Sequence, residues 1–107
     1  MSARKLKQLL KELKNGLAAL YGARLYGVYL FGSYARNTQE PESDVDIMIV
    51  LNDYEYYGVE LDRTSELTSR LSLKYGISVS TIFQRLQEWL EADTPLLRNV
   101  RIEAVPV

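Results

Sequence analysis

The N-terminal segment repeats apolar and polar positions with the period of a helix. Its leucines recur at spacings of three and four, and the basic residues between them fall mostly on the opposite side. This pattern predicts a first helix from about Ala3 to Tyr21, with Gly22 as its stop signal. The predicted apolar stripe consists of Leu6, Leu9, Leu10, Leu13, Leu17 and Leu20.

Three short apolar segments predict strands. The segment Leu25–Phe31 carries no charge and is rich in aromatic and β-branched residues, which is typical of a buried strand. A second strand is predicted over 44–51, where two aspartates precede a continuous apolar run. A third is predicted over 77–83, where polar and apolar residues alternate at the start.

Helical patterns follow the second and third strands. Residues 54–75 form the longer one, with Asn52-Asp53 as its predicted cap and Val59, Leu67 and Leu71 as its apolar positions. A short helix is predicted over 85–91, and Thr94-Pro95 predicts the start of a last one. The order of elements indicates an α/β fold, with a small mixed sheet of about three strands flanked by helices.

Composition limits the available chemistry. The chain contains no His and no Cys, which excludes His-based and Cys-based catalysis and the usual zinc sites. Its net charge of −1 argues against a binder of duplex DNA. Catalysis would therefore depend on carboxylates, hydroxyls, basic side chains, backbone amides and hard metal ions. Charged residues interrupt every apolar stretch near the N-terminus, so we expect no export signal, no membrane span and a cytoplasmic protein.

Two motifs on neighbouring predicted strands combine phosphate-binding and metal-binding chemistry. Gly32 and Ser33 turn the chain out of the first strand, where exposed amides and a hydroxyl suit phosphate oxygens. Asp44 and Asp46 point to the same face of the second strand, ~6.6 Å apart along the chain. Paired carboxylates of this kind select Mg²⁺ or Mn²⁺. If the strands are antiparallel neighbours, the two motifs meet in an arrangement suited to nucleotidyl transfer.

The residues Gly-Ser-Tyr-Ala-Arg-Asn at 32–37 and Ser-Asp-Val-Asp at 43–46 resemble the signature of the minimal nucleotidyltransferases. These small proteins belong to the nucleotidyltransferase superfamily that includes DNA polymerase beta. The resemblance implies a single domain over residues 1–107. It also implies that Gly32 and Ser33 contact the nucleotide phosphates, and that Asp44 and Asp46 bind metal and form the catalytic pair.

Two positions depart from the pattern of that family. Asn37 replaces a glycine, which is a mild change because Asn tolerates positive φ. Active members usually carry a third carboxylate on the next strand, and Ser80 occupies that position here. A serine is a poor base at neutral pH, so metal affinity and rate should both fall. The alternative sources of the third acid lie in the helix predicted after the second strand, at Glu60, Asp62 or Glu66.

The resemblance also implies a nucleotide and a partner. Minimal nucleotidyltransferases are commonly encoded beside a HEPN-domain protein, in several cases a toxic ribonuclease whose antitoxin is the nucleotidyltransferase. Some transfer adenylyl groups from ATP onto a tyrosine of the toxin. We therefore expect a hetero-oligomer with a HEPN-domain protein, or a homodimer when the chain is alone. The alternative is a catalytically impaired member that neutralises its partner by occlusion. A nucleic-acid adaptor that uses the basic face of the first helix is a third hypothesis.

Two further features each admit two interpretations. Arg36 either binds a nucleotide phosphate or forms an ion pair with Glu40 or Glu42. The tyrosines at 54, 56 and 57 either form a surface for a partner or a base, or pack against the protein's own core.

Overall fold

A four-stranded mixed sheet forms the centre of the structure, a computed structural model that describes all 107 residues. The strands are β1 (Leu25–Phe31), β2 (Val45–Leu51), β3 (Val79–Arg85) and β4 (Val105–Pro106). They lie in the order β3-β2-β1-β4. β1 is antiparallel to both β2 and β4, whereas β2 and β3 are parallel. The fold class is confirmed, and the sheet has one strand more than the sequence predicted.

Five α-helices flank the sheet. They are α1 (Ala3–Tyr21), α2 (Gly32–Arg36), α3 (Tyr57–Tyr75), α4 (Leu86–Glu91) and α5 (Pro95–Glu103). The bounds of α1 agree with the prediction, because the Ser2 side chain accepts the Lys5 amide at one end and Gly22 adopts a positive φ of 54° at the other. None of the helices combines the length and apolar character needed to cross a bilayer.

The two faces of the sheet are covered by different helices. The larger core contains leucines of α1 and α3, which pack against Val45, Ile47, Ile49 and Leu51 of β2. The smaller core contains residues of α4 and α5 packed against the alternate side chains of β2. Because side chains alternate along a strand, Asp46 belongs to the face that α4 and α5 cover. The buried members of this smaller core are Phe31, Met48, Val50, Trp89, Leu97 and Val100.

The elements after β2 differ in detail from the prediction. α3 begins at Tyr57 rather than near residue 54, because Asp53 accepts the Tyr54 amide and pairs with Arg85 instead of capping the helix. β3 begins and ends two residues later than predicted, in a continuous parallel register with β2. Val59, predicted as an apolar core position of α3, is 46% exposed. Leu20 is likewise exposed at the end of the α1 stripe.

A buried acidic residue links α1 to α3. Glu60 is 3% exposed and accepts a hydrogen bond of 2.8 Å from the Tyr21 hydroxyl. Arg24 and Arg63 lie 3.6 Å and 3.3 Å from its carboxylate oxygens. Burial, and then the bond to Glu60, raises the pKa of the Tyr21 hydroxyl, which keeps it as a donor. Glu60 therefore has a structural role in the larger core.

Removing the Tyr21 hydroxyl should weaken the fold. We expect Tyr21→Phe to lower the free energy of unfolding by about 1–2 kcal/mol, because a buried carboxylate oxygen loses its donor. Urea denaturation of the two proteins measures this difference. Tyr56→Phe is the matched control, since Tyr56 is 64% exposed, and its effect should stay within about 0.5 kcal/mol. Equal stability of Tyr21→Phe and its parent would contradict this role of the hydroxyl.

Candidate functional site

The antiparallel pairing of β1 and β2 brings the two sequence motifs together. Phe31, the last residue of β1, lies opposite Asp46 in the register of the sheet. Gly32 follows directly and begins α2, so the glycine turn stands beside the aspartate. The expectation that the two strands are antiparallel neighbours is therefore confirmed, and Gly32 and Asp46 are brought into contact.

Gly32 leaves space that no other residue would leave. Its φ is +73°, a backbone conformation that residues with a side chain rarely adopt. A Cβ atom built at this position would lie 2.1 Å from Oδ2 of Asp46 and 3.0 Å from its Cγ. The Asp46 carboxylate thus occupies the volume that a side chain at 32 would need. The glycine and the aspartate form one unit, in which the backbone of the turn directly contacts the carboxylate.

Without a cation nearby, the surroundings of Asp46 disfavour the negative charge of its carboxylate. Burial, and then the negative charge of Asp44, raises the pKa of the Asp46 carboxyl, and Arg36 only partly offsets this. Asp44 is exposed and stands two residues earlier, immediately before β2. A half-buried carboxylate that is repelled by a second, exposed carboxylate suits a hard divalent cation. No group of three or more acidic side chains surrounds a common point. Asp44 and Asp46 would therefore supply only part of the ligands of a cation, and water or phosphate oxygens the rest.

Ser80 lies beside Asp46 on the sheet. The parallel register pairs Asp46 with Ser80, and both residues belong to the face covered by α4 and α5. Ser80 is exposed to solvent. The alternative acids on α3 are not brought there, because α3 packs on the opposite face, where Glu60 is bonded to Tyr21. That part of the sequence-based hypothesis is wrong.

Arg36 forms an ion pair that the sequence did not indicate. Its Nη1 lies 2.8 Å from Oε2 of Glu103, at the end of α5, so the predicted partners Glu40 and Glu42 are wrong. The other oxygen of Glu103 accepts the Gly32 amide at 3.2 Å. The hydrogen bond from Arg36, and then the amide of Gly32, lowers the pKa of Glu103. In the sequence, Glu103 is only an acidic residue at the end of an amphipathic helix. No sequence pattern indicates that its side chain contacts residue 32.

The other residues of interest in the sequence have structural roles. Asn37 ends α2 in the left-handed conformation with φ 57°, as its substitution for glycine predicted. Tyr54 and Tyr57 contact the ring of Phe83 edge-on, and their hydroxyls bond to its backbone along the outer edge of β3. The interpretation as packing residues is confirmed for Tyr54 and Tyr57, whereas Tyr56 is 64% exposed. Trp89 is buried and stacks on Tyr29.

Comparison with known proteins shows the family to which the chain belongs. The model of the nucleotidyltransferase domain matches residues 7–106. Two proteins of Methanocaldococcus jannaschii, both described as candidate protein adenylyltransferases, are 37% and 36% identical to this chain over 78 residues. Each alignment covers 73% of this chain, and the two cover 72% and 78% of the relatives.

Solved structures share the fold. A candidate minimal nucleotidyltransferase superposes with a TM-score of 0.68 at 22% identity, over 100% of this chain and 97% of that one. A toxin–antitoxin crystal structure with AMP-PNP gives 0.60 at 24% identity, over 99% and 72%. A complex of tri-AMPylated HEPN toxin and MNT antitoxin from Shewanella oneidensis gives 0.53 at 21%, over 92% and 70%. By the domain match and the identity to its relatives, the chain belongs to the nucleotidyltransferase domain family.

Proposed function

We propose that the chain is a Mg²⁺-dependent nucleotidyltransferase that transfers AMP from ATP to a HEPN-type protein partner and acts as its antitoxin. One observation carries the proposal: the half-buried carboxylate of Asp46, with Asp44 two residues before it, lies against the backbone at Gly32. A phosphate chain on that turn would meet the two carboxylates. The candidate adenylyltransferases among the relatives, and the AMP-PNP and HEPN toxin in the structures of similar fold, support the choice of nucleotide and partner.

The mechanism assigns a task to each residue of the turn and the strand. Asp44 and Asp46 would hold the cation, which when bound neutralises phosphate charge and polarises the α-phosphorus. The Gly32 amide, the Ser33 hydroxyl and Arg36 would hold the phosphate oxygens in position. An acceptor hydroxyl of the partner then forms a bond to the α-phosphorus, the bond to the β-phosphate oxygen breaks, and pyrophosphate leaves. The hydroxyl proton passes to water, because Ser80 stands where a third carboxylate would accept it.

The identity of the transferred group tests this proposal. The protein and its HEPN partner, purified together, are incubated with Mg²⁺ and ATP that is labelled at either the α-phosphate or the γ-phosphate. We expect label on the partner from α-labelled ATP only. Transfer of γ-label would indicate a kinase reaction instead. The absence of both labels, with the complex intact, would contradict transfer and leave the second function.

The second candidate function is neutralisation by occlusion, without chemistry. It is favoured by Ser80, which supplies a neutral oxygen in place of a third acid beside Asp46. In that case the chain would keep the fold and cover the active surface of its partner. A variant lacking Asp44 and Asp46 would then neutralise the partner as well as the parent does.

Restoring an acid at position 80 should increase activity. We expect Ser80→Asp to raise the transfer rate by about tenfold or more and to tighten Mg²⁺ binding, because a carboxylate adds both a ligand and a base next to Asp46. Initial rates at several Mg²⁺ concentrations measure both effects. Ser80→Asn is the matched control, since asparagine has the size of aspartate but no charge. No gain in Ser80→Asp over this control would contradict the assignment of position 80.

A further inference from the structure

A carboxylate of the protein already occupies the donors assigned to the nucleotide. Glu103 is the last residue of α5, and its side chain is 19% exposed. One of its oxygens accepts the Gly32 amide at 3.2 Å, and the other lies 2.8 Å from Nη1 of Arg36. Both carboxylate oxygens are thus bound by groups of α2, one by Gly32 at its start and one by Arg36 at its end.

These contacts are the ones that a phosphate oxygen would make. A backbone amide and a guanidinium are general donors to oxyanions, and each donates the same hydrogens to a carboxylate as to a phosphate. Glu103 also carries a negative charge, which repels the charge of an incoming phosphate. A triphosphate arriving at this turn would therefore meet both occupied donors and a repelling charge.

The surroundings allow the carboxylate to leave without unfolding. A cleft of about 380 Å³ lies beside the Glu103 carboxylate. It is lined by Gly32 and Arg36 of α2 and by residues of α5 such as Leu96 and Asn99. Arg36 is 51% exposed, and Glu103 has three rotatable side-chain bonds, so rotation alone separates the pair. Apolar residues of α5, including Leu97 and Val100, hold the helix independently of this contact.

We propose that Glu103 is an internal competitor of the nucleotide, whose carboxylate occupies Gly32 and Arg36 and must be displaced when the phosphates of a nucleoside triphosphate bind. The inference rests on the proposed function, which places the phosphates on this turn. Glu103 thereby sets the nucleotide affinity of the site, and substrate binding requires that its two contacts be exchanged for contacts to phosphate.

Stepwise removal of the two contacts tests the competition. Glu103→Gln removes the charge but keeps an acceptor for the Gly32 amide, whereas Glu103→Ala removes both contacts. Glu55→Gln makes the same change of charge on an exposed residue beyond the other end of β2. The probes are Mg·ATP and inorganic tripolyphosphate. Calorimetry gives their affinities, and the nuclear magnetic resonance signal of the Gly32 amide shows whether the ligand reaches that donor. Thermal denaturation verifies that each variant is folded.

We expect both probes to bind about three- to tenfold more tightly to Glu103→Gln than to the parent, and at least as tightly to Glu103→Ala. The Glu55→Gln control should bind like the parent. Equal or weaker binding by the Glu103 variants would overturn the inference, as would failure of tripolyphosphate to shift the Gly32 signal in any variant. If the Glu103 variants bind more tightly and no variant transfers AMP, the competition stands and the proposed function fails.

Discussion

Replacing Asp44 and Asp46 together with asparagine is expected to abolish nucleotidyl transfer while leaving the metal-free fold at least as stable as its parent. The asparagines keep the shape of the site but supply only neutral oxygens, which bind Mg²⁺ poorly. Transfer should fall by at least about a thousandfold, because the charge stabilisation supplied by a bound cation is worth several kcal/mol and each ~1.4 kcal/mol is tenfold in rate.

The stability of the same variant should move in the opposite direction. Burial and the neighbouring charge of Asp44 raise the pKa of Asp46, so the ionised pair opposes folding in the absence of a cation. Without Mg²⁺ we expect a gain of about 0.5–1 kcal/mol in the variant. Added Mg²⁺ should stabilise the parent alone. Thermal denaturation with and without Mg²⁺ measures both effects.

A matched control separates this effect from a general change of charge. Glu40 and Glu42 are exposed acids of the loop that precedes the site, and their double replacement with glutamine changes the charge equally. We expect that variant to keep its transfer rate and its response to Mg²⁺. If the aspartate variant still transferred AMP, or if Mg²⁺ stabilised it as much as the parent, the assignment of the pair as metal ligands would be wrong.

Gly32→Ala should damage both the fold and the reaction. The alanine would be held at a φ of +73°, at a cost of about 1–2 kcal/mol. Its Cβ would also require the volume of the Asp46 carboxylate, which lies 2.1 Å away, so the carboxylate would rotate out of its position. Because a misplacement of about 1 Å commonly costs about a hundredfold in rate, we expect a loss of at least that size. Transfer kinetics and urea denaturation measure the two effects.

Two other glycines provide controls with a positive φ and no collision. Gly22 and Gly76 have φ values of +54° and +64°, and a Cβ at either would meet nothing within 4 Å. Gly22→Ala and Gly76→Ala should therefore lose similar stability and keep the parent rate. A Gly32→Ala rate within about threefold of the rate of these controls would show that the close contact with Asp46 does not matter for transfer.

The sequence predicted the elements whose signals are local. α1 combines a continuous leucine stripe with a capping serine and a terminal glycine, and its bounds were found as expected. β1 and β2 are uncharged over most of their length, and the short connection between them permits the antiparallel pairing that is observed. For the same reason, the contact of Gly32 with Asp46 could be foreseen from the order of the two motifs.

Elements determined by tertiary contacts were not predictable. β4 has only two residues, one of them proline, and it is a strand because it pairs with Tyr29 and Leu30 of β1. The position of β3 is set by its register with β2 rather than by its own alternation. Glu103 stands two residues before β4, so its contact with Gly32 depends on that same unpredicted pairing.

The intact mass of the HEPN partner tests the central claim most directly. The partner is co-expressed with the parent chain and, separately, with a variant carrying both Asp44→Ala and Asp46→Ala. We expect the partner to be heavier by whole AMP units beside the parent and unmodified beside the variant. An unmodified partner that co-purifies equally with both chains would contradict nucleotidyl transfer, and would assign the neutralisation to binding alone.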